Sequence, residues 1–160
     1  MNFEFIKKVA RKSAILGAII GLITLIPYIN LFSFLFLAFL AAPYVVIKMK
    51  QKNQIGILDT QESAIWGAII GISAFSGFFA VFTPLCGLIG LIFKADIYLS
   101  FKVMWSSGGG IMTLIMSYIM IGLIIALFNA FSAAIAEYLY QQIKNLTKEK
   151  NETFKIDNRG

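Results

Sequence analysis

The polar positions of the chain are gathered into clusters, and between them run three stretches without a charged side chain, residues 13–47, 63–93 and 103–136. An α-helix rises about 1.5 Å per residue, and the hydrocarbon core of a bilayer is about 30 Å thick. As one helix the first stretch would reach about 52 Å, so it must fold back. The turn falls at Pro27-Tyr28-Ile29-Asn30, where proline removes a backbone donor and the polar residues after it suit a lipid–water boundary. This predicts spans over 13–28 and 31–47. In the second stretch Pro84 falls where one crossing is complete, which predicts a third span over 63–83. Residues 85–93 are then too short to return and are read as interfacial or shallowly re-entrant, with continuation of the third helix left open. The third stretch is broken at Ser106-Ser107-Gly108-Gly109-Gly110, read as a hinge, and predicts a fourth span over 111–136. Asp59 and Glu62, spaced as in a capping box, mark the start of the third helix. The segment 94–105 places Tyr98, Phe101, Lys102 and Trp105 at near-helical spacing and is expected to lie flat on the outer leaflet.

The fold class expected is therefore all-α: a polytopic membrane protein of four transmembrane helices arranged as two hairpins, with a short interfacial segment between the third and fourth. Residues 1–140 would form the transmembrane domain and 141–160 a cytoplasmic tail, partly disordered. Composition strengthens this reading, since 59% of the 160 residues are hydrophobic and 14% charged, against about 25% charged in soluble domains. Mean hydropathy is +0.81.

Charge sets the expected orientation. With four spans both termini share a side, and twelve of the 14 Lys and Arg fall there, leaving Lys94 and Lys102 on the other. The positive-inside rule then predicts cytoplasmic termini and a cytoplasmic loop between Lys48 and Glu62. Aromatic anchors are expected at the outer interface (Tyr28, Tyr98, Trp105) and the inner one (Tyr44, Trp66, Tyr138, Tyr140). The excess of basic residues predicts attraction to anionic lipids at the cytoplasmic face, with no nucleic-acid partner.

The sequence repeats itself: residues 13–21 and 63–71 differ only where Leu16 stands against Trp66. The match suggests two hairpins related by an axis along the membrane normal. In each copy small residues recur every four positions, Ser13, Gly17 and Gly21 in the first and Ser63, Gly67 and Gly71 in the second, making seams that admit another backbone. Gly122, Ala126, Ala130 and Ala134 form a similar line in the fourth span. These seams serve packing within the bundle, a homo-oligomer contact or a membrane-protein partner.

The chemical repertoire is narrow. With no His, one Cys and eight acidic residues, the chain lacks the usual groups for metal binding, thiol redox chemistry and acid–base catalysis, so no catalytic, cofactor or metal residues are expected and an enzyme is not. The candidate intramembrane polar residues are Asn129, expected to hydrogen-bond across helices, and Glu137, expected to snorkel to the interface or meet Lys144. Cys86 is expected to be buried.

A Gly-Ala-rich helix ending in a Pro-aromatic-Ile-Asn-Leu turn (Gly17 to Leu31), a second helix leading to a basic loop, a repeated Gly-Ala helix (Gly67 to Gly71) and a closing small-residue helix (Gly122 to Ala136) resemble a loose group of small, uncharacterised prokaryotic four-helix integral membrane proteins. The resemblance covers most of the chain outside the tail. It departs in lacking successive glycines late in the fourth helix, and it implies a fold without lending an activity. The leading expectation is a non-enzymatic membrane protein, a small subunit or scaffold packing through its Gly/Ala grooves. The alternative is a transport or pore-forming component, for a small solute or of holin type.

Overall fold

The computed structural model describes residues 3–93 and 110–157, and within them all regular structure is helical. Helix α1 (Phe3–Thr24) is followed by a turn over 25–29 and by a continuous helical stretch made of α2 (Asn30–Leu35), a π-helical segment (Phe36–Leu40) and α3 (Ala41–Gln51). Two long helices complete the fold, α4 (Thr60–Phe93) and α5 (Gly110–Asp157). Three helical stretches are long and apolar enough to cross a membrane: Asn30–Gln51, Thr60–Gly90 and Met112–Thr147. Helix α1 has 22 residues, but Glu4, Lys7, Lys8, Arg11 and Lys12 occupy its first half, so its uncharged part is limited to Ser13–Thr24.

The chain turns two residues earlier than Pro27 suggests, because Leu25 and Ile26 already bond back to Leu22 and Ile23 in a tightened last turn. Tyr28 adopts φ 70°, a left-handed conformation that reverses the chain, and the Asn30 side chain accepts the Leu31 N–H at 2.7 Å as α2 begins. At the other end of the molecule Asp59 caps α4. Its Oδ1 accepts the Thr60 N–H at 2.6 Å, while the Glu62 carboxylate accepts the Asp59 N–H at 3.4 Å.

Helix α4 does not stop at Pro84. Residues 85–93 continue it, which replaces the interfacial or re-entrant segment expected there. A proline deletes one N–H bond and crowds one carbonyl, a defect that a long helix packed among others absorbs. Likewise α5 runs without a break through the 140/141 boundary to Asp157. The segment 94–105 and the glycines at 108 and 109 lie outside the described residues.

Helix α4 is central, packing against both α1 and α5. Helices α1 and α4 run parallel: Phe5 meets Trp66 edge to face at 5.5 Å, Gly17 lies against Ala74, and Gly21 against Phe78. Helices α4 and α5 run antiparallel, Gly67 facing Ala130 and Ala133, and Gly71 facing Ala126. Two apolar clusters fill the bundle. One, near the basic end, joins Val9, Val46, Met49, Leu58, Trp66 and Ala133; the other joins Ile20, Leu37, Ala74, Phe75, Phe78 and Ile125. Trp66, expected as an interfacial anchor, is only 5% exposed and belongs to the first cluster, because the Phe5 ring and Val9 of α1 cover it. Tyr28, Tyr44, Tyr138 and Tyr140 are exposed.

Candidate functional site

The small-residue seams are occupied from within. A methyl group placed on Gly17 would overlap the backbone carbonyl of Ala74, and one placed on Gly77 would overlap that of Ala14. The two helices thus approach reciprocally, glycine Cα against opposing carbonyl, the arrangement in which weak Cα–H···O contacts form. Ser13 is buried beside this contact and donates its hydroxyl to Val9 O at 3.0 Å. In the second copy Gly67 and Gly71 serve α5 instead, abutting Asn129, Ala130 and Ala126, with Ser63 fully buried. Gly122 packs on the Phe75 ring, while Ala130 and Ala134 are half-buried. Gly77 has no counterpart among the residues picked out from the repeat; only its register opposite Ala14 reveals it.

Asn129 is fully buried and acts as a hub between α5 and the π-helical segment. Its Nδ2 donates to Leu37 O at 3.0 Å, Ala38 O at 2.9 Å and, within α5, Ile125 O at 2.9 Å; its Oδ1 accepts the Ala42 N–H at 2.8 Å. The segment needs such a partner. Pro43 has no N–H to give, and the Ala41 N–H reaches back five residues to Phe36 O, so the helical ladder skips a step and leaves carbonyls without donors. One amide side chain supplies both a donor and an acceptor to that gap. The sequence signal for it was the pairing of Pro43 with a lone deep asparagine, which neither residue displays alone.

Toward the basic end lies a second polar group. Glu137 is 2% exposed and forms a salt bridge with Lys50, itself buried at the end of α3. This corrects the expected position of Glu137: it neither snorkels nor meets Lys144, because it lies on the same face of α5 as Asn129 and Ala133 and so points into the bundle. Its Oε1 accepts the Leu58 N–H at 3.3 Å and the Gln141 side-chain amide at 2.9 Å, and that amide also donates to Leu58 O at 3.0 Å. The Lys50 ammonium lies 4.3 Å from the centre of the Tyr140 ring, a cation–π contact. The pair thereby ties the end of α3 and the loop before α4 to α5.

Elsewhere Ser76 shares a 2.6 Å hydrogen bond with the Tyr118 hydroxyl, joining α4 to α5, and Thr24 donates to Ile20 O at 2.7 Å. Cys86 is buried. Among the described residues no group of three or more His, Cys, Asp or Glu side chains converges as a metal site would require. Chemically, the arrangement links helices: a carboxylate neutralised by an ammonium and an amide whose donors and acceptor are spent on backbone. Comparison of the chain with family models, curated proteins and solved structures returned no match.

Proposed function

We propose that the chain is a non-enzymatic integral protein of the prokaryotic cytoplasmic membrane, crossing it four times as two hairpins with both termini cytoplasmic, and serving as a small subunit or scaffold. The observation that carries this reading is how the deep polar groups are used. Asn129, Ser76 and the Lys50–Glu137 pair all bond helix to helix, which leaves none of them turned toward a translocation path or a substrate. A fourth crossing is supported by matched lengths: α1 and the stretch Asn30–Gln51 each have 22 residues, about 33 Å of helix, and are joined by a short turn. Lys7, Lys8, Arg11 and Lys12 then snorkel to the cytoplasmic head groups. The glycine seams do not await a partner, since they are filled by the chain itself. A partner would instead meet the outer face of α5, where Leu123, Leu127 and Phe131 are exposed.

Purification in mild detergent, followed by crosslinking and mass spectrometry, tests this role. A stoichiometric membrane partner crosslinked through the outer face of α5 is the expected result. A pure oligomer that conducts ions or small solutes in liposomes would overturn it in favour of a pore.

A further inference from the structure

A groove of about 340 Å³ opens between α1 and α3 at the basic end. Its upper rim carries Lys8, Lys12, Lys48 and Lys52, and its lower part is walled by apolar side chains that include Ile15 and Ile19, about half exposed, beside Tyr44. From this polarity gradient we infer that the groove binds one anionic phospholipid of the cytoplasmic leaflet, the phosphate head group among the four lysines and an acyl chain along the isoleucines. The inference rests on the membrane reading above and adds to it a site and a ligand class.

The lysines form two like-charged pairs, each spaced four residues apart along the chain, so that members of a pair repel. No carboxylate lines the groove, and Glu4, one turn before Lys8, is not among its walls. Lys50 shows the contrast. It lies between Lys48 and Lys52 in sequence but on the opposite helix face, where Glu137 neutralises it. Lys48 instead donates to the Tyr44 hydroxyl at 3.0 Å, an interaction that positions its ammonium without cancelling its charge. A phosphodiester supplies the missing anion, and basic pockets between helices on the cytoplasmic side suit such head groups. Zwitterionic lipid offers the same chain but no net charge, and inorganic phosphate offers the charge but no chain.

Native mass spectrometry of the delipidated full chain in detergent, titrated with phosphatidylglycerol, phosphatidylcholine or inorganic phosphate, tests the assignment. One phosphatidylglycerol should bind with about tenfold preference over phosphatidylcholine, and phosphate should not displace it. The Lys12→Gln/Lys48→Gln variant should lose about tenfold in affinity, while Lys7→Gln/Lys144→Gln, with the same change in charge outside the groove, should not. All four side chains are exposed, so unchanged thermal unfolding verifies that both variants fold. Equal losses in the two variants, equal binding of the two lipids, or displacement by phosphate would each overturn the groove assignment. Recovery of the chain in the detergent-free soluble fraction would instead overturn the membrane reading itself.

Discussion

Asn129 spends its side-chain amide on backbone groups that the π-helical segment and Pro43 leave open, so its removal should be felt on two helices at once. Asn129→Ala strands the Leu37 and Ala38 carbonyls and the Ala42 N–H inside the bundle. Each stranded group costs about 1–3 kcal/mol, and intramembrane hydrogen bonds average toward the low side. A net loss of about 2–4 kcal/mol is expected by thermal or denaturant unfolding in detergent. Asn129→Asp keeps an acceptor for Ala42 but loses both donors, and should be no better than alanine. Glu137 and Lys50 make a second test at this scale. Glu137→Gln leaves a buried ammonium without its counter-charge and should cost about 3–5 kcal/mol, whereas combining Glu137→Leu with Lys50→Met should restore most of that stability. Equal instability of the single and double replacements would show that the pair matters for more than mutual neutralisation. The sequence made Asn129 visible as a deep polar residue, because it stands alone in an apolar run, whereas Glu137, at the end of that run, reads as an interfacial group. It hid the partner of Glu137: Lys48, Lys50 and Lys52 alternate in one basic segment, and only the rotation of α3 selects the middle one.

Among the elements, the closest approach is that of α1 and α4, and glycine makes it. Gly17→Ala puts a methyl group into the Ala74 backbone, which has no flexible end to yield, and should destabilise the bundle by about 1–3 kcal/mol or force the helices apart. Gly87→Ala is the internal control: nothing lies within 4 Å of the added methyl, and α4 should gain up to about 1 kcal/mol from better helix propensity. The two variants differ by one carbon each and should move the unfolding midpoint in opposite directions. The helices themselves were readable from the spacing of charges and prolines, as was the capping of α4 by Asp59 and Glu62. Pro84 misled, because its meaning depends on what surrounds it: alone it is a breaker, but inside a long packed helix it is a tolerated defect. Trp66 misled for a related reason, since an indole near the end of a span serves as an anchor unless a neighbouring helix covers it. Here α1 does so.

At the scale of the whole molecule, the basic ends of α1 and α3 and the start of α4 gather around one apolar cluster, and α5 continues beyond it with residues 142–147 exposed. The proposed orientation, with lysine-rich helix ends on the cytoplasmic side and the 25–29 turn on the other, would account for this asymmetry. The three long apolar stretches fit a bilayer by length and composition; α1 fits only if its lysines reach the head groups, and the crossing number depends on that helix. The decisive measurement is therefore the sidedness of the residues that flank it. In a Cys86→Ala background, Phe3→Cys at the start of α1 and Tyr28→Cys in the turn after it, both exposed, would be probed in intact cells with a membrane-impermeant thiol reagent. Four crossings predict that position 28 is labelled from outside and that position 3 is labelled only after permeabilisation. Labelling of both positions from the same side would contradict the account.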